Sequence, residues 1–86
     1  MEIKIHKMQK LEEVSRLKAF FDVVFNDVLL VKGYRLIEGR TGLFVSPPQE
    51  QGKDRRWYEV VKCLSADTAE EINKKAIEEY KNVKSY

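Results

Sequence analysis

Cysteine, histidine and proline are scarce in this 86-residue chain, which has one Cys, one His and two Pro. A single thiol, Cys63, cannot close a disulfide within the chain, which fits a reducing compartment. One His and one Cys are too few for a structural zinc site, which takes four such ligands, so no metal is expected. No apolar run approaches the roughly 20 residues that cross a bilayer. The opening MEIKIHKMQK lacks the apolar core of a secretory leader, so the expectation is a cytoplasmic protein with no membrane contact. A large charge excess is missing as well, because 16 basic residues face 14 acidic ones. The net charge of +2 falls short of a strong nucleic-acid footprint.

What is present is enough for one small domain over residues 1–86. Hydrophobic residues make up 43% of the chain and aromatics 10%, so this is not a disordered composition. A core built from so short a chain is marginal and is often completed by association. The charge is also unevenly spread. Residues 32–62 carry seven basic against four acidic groups, residues 19–31 carry only Asp22 and Asp27, and residues 63–86 carry four against five.

Alternation at Ile3 and Ile5 predicts a half-buried strand over residues 2–8. Residues 9–15 read as a turn into the next strand or as a short helix. From Arg16, Leu17, Ala19, Phe21, Val23 and Phe25 share one face at period two, while the opposite face turns apolar towards its end. Asn26-Asp27 is a turn pair that tolerates left-handed angles. VLLVKGYRLI, residues 28–37, predicts a second long strand, with a bulge or a close backbone approach at Gly33. A long hairpin results. A turn at residues 38–42 and a short strand at 43–45 follow, ended by Pro47-Pro48, neither of which can donate to a ladder. Residues 49–55 read as a polar loop and 57–61 as the last strand.

The chain closes in a helix for which Ser65, Asp67 and Thr68 are candidate caps, Thr68 having Glu71 at capping-box spacing. Ala69, Ile72, Ala76, Tyr80 and Val83 form its apolar stripe, with Ile77 beside them. The fold class is therefore α+β: an antiparallel meander of about five strands followed by one C-terminal amphipathic helix. One helix covers one sheet face, so the other face is expected to bury itself in a homodimer.

The motifs exclude more than they assign. Gly52-Lys53 is followed by Asp54 and a strand, which rules out a phosphate-binding P-loop. No helix begins near Gly42, as a dinucleotide fold would require. Gly39-Arg-Thr-Gly42 has the spacing of a KH-type clamp, but that loop joins two helices and this one joins strands. A tight turn with positive φ at its glycines is the expectation there, with Arg40 exposed on it. A catalytic thiol needs a base, and the lone His6 is distant from Cys63, so no enzyme, cofactor or small-molecule substrate is expected. The remaining feature is Lys53, Arg55 and Arg56 beside Trp57 and Tyr58, with Arg35, Arg40 and Lys62 in the neighbouring strands and turn. Such a cluster suits phosphate contact with base stacking, or else a solubilising loop with Trp57 in the core.

The run RLKAFFDVVFNDVLLVKGYRLIEGRTGLFV, residues 16–45, resembles the stage V sporulation protein G (SpoVG) family of bacterial septation regulators. The specific part is Arg35-Leu-Ile-Glu-Gly39, then Gly42-Leu-Phe-Val45 and a nearby proline, against the family's R-V-I-x-G-x-x-G-L-F-V-x-x-P. The close Ala76-Ile-Glu-Glu-Tyr80 is also similar, and the resemblance covers about residues 1–82. It implies a homodimeric α+β regulator of gene expression, septation and sporulation. Such proteins bind nucleic acid, chiefly DNA and in some members RNA, and have no enzymatic activity. Family contacts around the post-proline loop and the C-terminal helix carry over to Lys53, Arg55 and Arg56, and to Lys74 and Lys75. Arg40 is added from its place on the turn. Gln49-Glu50-Gln51 stands where the family has a basic stretch, and Lys62-Cys63-Leu64 where it often has His-Pro-Ile. The alternative function is a protein-interaction adaptor in cell division that does not bind nucleic acid directly.

Overall fold

The computed structural model describes residues 1–11 and 15–83, and residues 12–14 of the turn or short helix expected at 9–15 lie outside them. The period-two pattern near the N-terminus becomes β1, Ile3–Lys10, and the hairpin becomes β2, Leu17–Phe25, and β3, Leu29–Gly39. β4, Gly42–Ser46, completes a four-stranded antiparallel sheet in the order β1-β2-β3-β4. Ile3 lies opposite Phe25 and Ile5 opposite Val23, while Ala19, Phe21 and Val23 are fully buried, so the alternation decides which face is the core. Leu17 leaves that face. A register shift between Leu17 and Ala19 resets the alternation and puts Leu17 opposite Ile37.

The hairpin turn uses both left-handed residues, Asn26 and Asp27 at φ 54°, and Val28 N–H donates to the Phe25 carbonyl at 3.1 Å. Strand pairing resumes only at Phe25 opposite Leu29, so the connection is three residues long rather than two. Lys4 ties this turn to β1 through Asp27 at 2.9 Å. The bulge expected at Gly33 is present. Gly33 takes φ 91°, the register shifts between Phe21 and Val23, and the Gly33 N–H turns to the Asp22 carboxylate at 3.3 Å.

The helix α1 runs Ala66–Asn82. Ser65 is its cap, its hydroxyl accepting from Thr68 N–H at 3.2 Å, so Thr68 and Glu71 lie inside the helix and form no capping box. Of the three candidate caps Ser65 is thus the one used, and the stripe with Ile72 and Ala76 faces the sheet as expected. Ile72 and Ala76 are buried against Phe21, Tyr34 and Leu36, with Ile77 and Tyr80 packed beside them. The helix reaches both edges of the sheet. Asn73 Oδ1 accepts the Val45 N–H of β4 at 2.8 Å, and Lys75 Nζ donates to the Ile3 carbonyl of β1 at 2.7 Å. Lys10 Nζ reaches the Val83 carbonyl at 2.9 Å and lies 4.4 Å from the Tyr80 ring centre. No described helix is long and apolar enough to cross a membrane.

The fifth strand does not join the sheet. β6, Trp57–Glu59, pairs instead with β5, Gln49–Gln51, which was expected to be loop, and the two make a separate hairpin. Pro47-Pro48 breaks the ladder after β4, and buried Pro48 sits against Gly33 on β3, so the chain leaves the sheet there.

Ala76 is fully buried in the core cluster between helix and sheet, and such interiors are close-packed. Ala76→Leu is expected to cost about 1–3 kcal/mol through overpacking. Urea unfolding should show a lower midpoint with an unchanged m-value.

Candidate nucleic-acid interface

The β5–β6 connection is a built turn. Gly52 N–H donates to the Arg56 carbonyl at 2.8 Å, and Arg55 N–H to the Gly52 carbonyl at 3.0 Å. Arg55 takes φ 68°, and the Gln51 amide donates to its carbonyl at 3.2 Å. Asp54 holds the loop from inside, its carboxylate accepting from Arg56 N–H at 3.0 Å and from the Tyr58 hydroxyl. The Tyr58 ring lies against Gly52, where a Cβ would come within 2.8 Å of it. The Tyr58 hydroxyl holds the Asp54 carboxyl below the usual carboxylate range, and that carboxylate raises the Tyr58 phenol above its usual value.

On this turn Lys53, Arg55 and Arg56 are exposed, and none forms an ion pair among the described residues. Trp57, directly after them, is 55% exposed, so it is not the core residue that a merely solubilising loop would have left it. The Arg35 guanidinium lies 5.5 Å from the Trp57 ring centre and 5.9 Å from that of Phe20, its cross-strand neighbour. Such contacts are worth about 0.5–1 kcal/mol each at exposed sites. They tie the small hairpin to the face of the sheet that the helix leaves open, where Val24, Ile37 and Phe44 also lie.

The other expected site residues are elsewhere. Arg40 is exposed on the β3–β4 turn, five residues along β3 from Arg35, or roughly 16 Å at strand rise. Only Gly42 of that turn has positive φ, 127°. Gly39 is needed for space instead, because a Cβ there would come within 2.9 Å of the Phe44 ring. Lys74 and Lys75 belong to α1 and are engaged locally, Lys74 with Glu70 at 3.8 Å and Lys75 with Glu71 at 3.2 Å and the Ile3 carbonyl. The structure therefore gathers Lys53, Arg55 and Arg56 with Arg35 and Trp57, and separates Arg40, Lys74 and Lys75 from them. Phe20 is the member that sequence reasoning did not pick out.

Cys63 is half-buried in the segment before α1, its thiol donating to the Ser65 carbonyl at 3.3 Å. It lines a groove of about 510 Å³ with Tyr34, Val61 and Ile72, and no histidine is among the lining residues. His6 is on β1, opposite Asp22.

Residues 1–82 match the SpoVG family. The chain belongs to that family. A septation protein SpoVG of Caldanaerobacter subterraneus is 29% identical over 84 residues, 98% of this chain and 92% of that protein. Namesakes from Clostridium perfringens and Clostridium kluyveri are each 28% identical, over 92% and 99% of this chain and 88% of their own lengths. Within this SpoVG-family chain, Gln49-Glu50-Gln51 is the strand that pairs with Trp57–Glu59, and the basic groups stand on the turn between the two.

The Asp54–Tyr58 pair fixes a pH window. The carboxyl is depressed, so its contribution is present above the ordinary Asp value of about 3.9 and is lost as pH falls through the folded value. The phenol is raised, so its contribution holds below about pH 10 and is lost as pH rises through the folded value. In a tyrosinate absorbance titration, Asp54→Ala should bring one tyrosine down to its ordinary range. Tyr34, raised mainly by burial, should stay high in both proteins.

Proposed function

We propose that this SpoVG-family protein is a cytoplasmic, non-enzymatic regulator of septation, sporulation and gene expression that binds nucleic acid as a homodimer. The observation that carries the reading is a rigid turn presenting Lys53, Arg55 and Arg56 without carboxylate partners among the described residues, whereas Lys4, Lys74 and Lys75 all have them. Unpaired cations on a fixed backbone are placed to neutralise phosphates, and the counterions released supply the free energy. Arg40 adds a further contact at the other end of β3, and Lys74 and Lys75 contribute a weaker field from the helix. DNA is the main ligand, with RNA recognised through the same phosphate chemistry.

The double variant Arg55→Ala/Arg56→Ala should lower duplex DNA affinity and reduce the slope of log K against log salt by about 2. Its melting temperature should stay unchanged, since both side chains are exposed. Wild-type affinity in the double variant would count against this site.

Exposed apolar surface on the helix-covered side, rather than on the open sheet face expected to self-associate, supports the dimer and also the competing reading of an adaptor that binds a protein partner. Val28 is 85% and Leu64 91% exposed beside the groove lined by Met1, Phe25 and Tyr34. Apolar patches rimmed by polar groups mark interaction surfaces. Sedimentation equilibrium at micromolar concentration should give a dimer, and Val28→Asp/Leu64→Asp should shift it to monomer. The adaptor takes the lead if no oligonucleotide binds at low ionic strength.

A further inference from the structure

Of the two aromatic rings beside the basic turn, Tyr58 is occupied by Asp54 and Gly52. Trp57 is not. Arg35 covers one side of the indole at 5.5 Å, and more than half of the residue remains exposed. Arg35 is itself placed by Phe20 at 5.9 Å, so the ring has a braced back and an open front. Phe44, 44% exposed, continues the same helix-free face two residues along from Arg35 and one strand over.

We infer that Trp57, backed by Arg35 and Phe20, is a stacking site for an unpaired nucleobase, so that the protein takes single strands in preference to duplex. The inference rests on the nucleic-acid reading above and adds the strandedness of the ligand. In a duplex the base faces are stacked on one another and only their edges and phosphates are presented. An exposed indole therefore gains nothing from duplex, whereas a splayed base offers its whole face. Arg55 and Arg56 immediately precede Trp57, which puts phosphate-binding charge next to the stacking ring. Stacking of this kind is tolerant of sequence, because every base has a π-face. Phe44 offers a second ring for the neighbouring base.

Trp57 is the only tryptophan of the chain, so its emission reports on the site directly. Titration with oligo-dT and oligo-U at low salt should quench it, and an equal-length duplex should leave it nearly unchanged. Quenching by either single strand supports the inference, and the comparison of the two separates deoxyribose from ribose ligands. Trp57→Ala should weaken single-strand binding by roughly five- to a hundredfold, the loss of one base–aromatic stack, with duplex affinity unchanged. Trp57→Phe should recover most of it. If Trp57→Ala binds single strands like wild type while Arg55→Ala/Arg56→Ala does not, stacking is overturned and the electrostatic reading stands. Absence of salt-dependent binding by either kind of strand overturns both. Emission that changes on dilution without oligonucleotide, together with a monomeric Trp57→Ala, overturns the inference by assigning the indole to self-association.

Discussion

One amphipathic helix against a four-stranded sheet can bury only one of its two faces, and the rest of the molecule follows from that constraint. The covered face takes the residues that the helix stripe can reach, with Phe21 and Tyr34 stacked at 5.6 Å over Ile72 and Ala76. Small residues at the centre, Ala19 and Ala76, let the helix lie close to the strands. Its polar side chains finish what packing begins. Asn73 takes an edge N–H of β4 and Lys75 an edge carbonyl of β1, so the groups that would otherwise template further strand pairing are partly used. The bulge in β1, with Lys7 at φ 53°, further discourages pairing along that edge.

The uncovered face cannot be simply polar, because β2 and β3 are too apolar for that. It carries Phe20, Val24, Ile37 and Phe44, and a charge, Arg35, stands among them. The guanidinium tolerates this setting because it can lie flat on aromatic rings while its edge stays in water. The two prolines then matter for geometry. By ending β4 and turning the chain away from the ladder, they send β5 and β6 off as a separate hairpin, and Trp57 comes back onto Arg35. A fifth strand hydrogen-bonded to β4 would have left Arg35 without that second ring.

Much of this was legible in the sequence because it is local. Period-two alternation in residues 19–25, the Asn26-Asp27 turn, the Gly33 bulge and the helix stripe each follow from spacing and backbone preference. The partner of Phe20 was not. With Phe25 opposite Leu29, an uninterrupted ladder would set Tyr34 across from Phe20, and the Gly33 bulge moves Arg35 there instead. The glycine signals a bulge without saying which partner it shifts. Likewise Gln49–Gln51 has no apolar alternation to mark a strand, since its partner strand is just as exposed and neither buries a face. The cap was narrowed only to Ser65, Asp67 or Thr68, because each offers an acceptor oxygen; Ser65 is the one used.

The stretch Gly39–Pro48 and the charged turn beyond it are shaped by different kinds of constraint. Gly39 makes room for the Phe44 ring, Gly42 takes an angle that side chains avoid, and Pro48 docks on Gly33. Each requirement is local, a close approach at Gly39, a backbone angle at Gly42 and a packing contact at Pro48, so each favours one residue type at one position. Phosphate contact, the role proposed for the turn beyond, is long-ranged and made by flexible side chains. A cation can therefore stand a few residues further on and still reach the same ligand. In this chain the post-proline segment Gln49-Glu50-Gln51 forms a strand, and the exposed cations stand on the turn that it supports. Close packing and backbone angle thus bind residues 39–48 to their positions, whereas the role proposed for Lys53, Arg55 and Arg56 makes no such local demand.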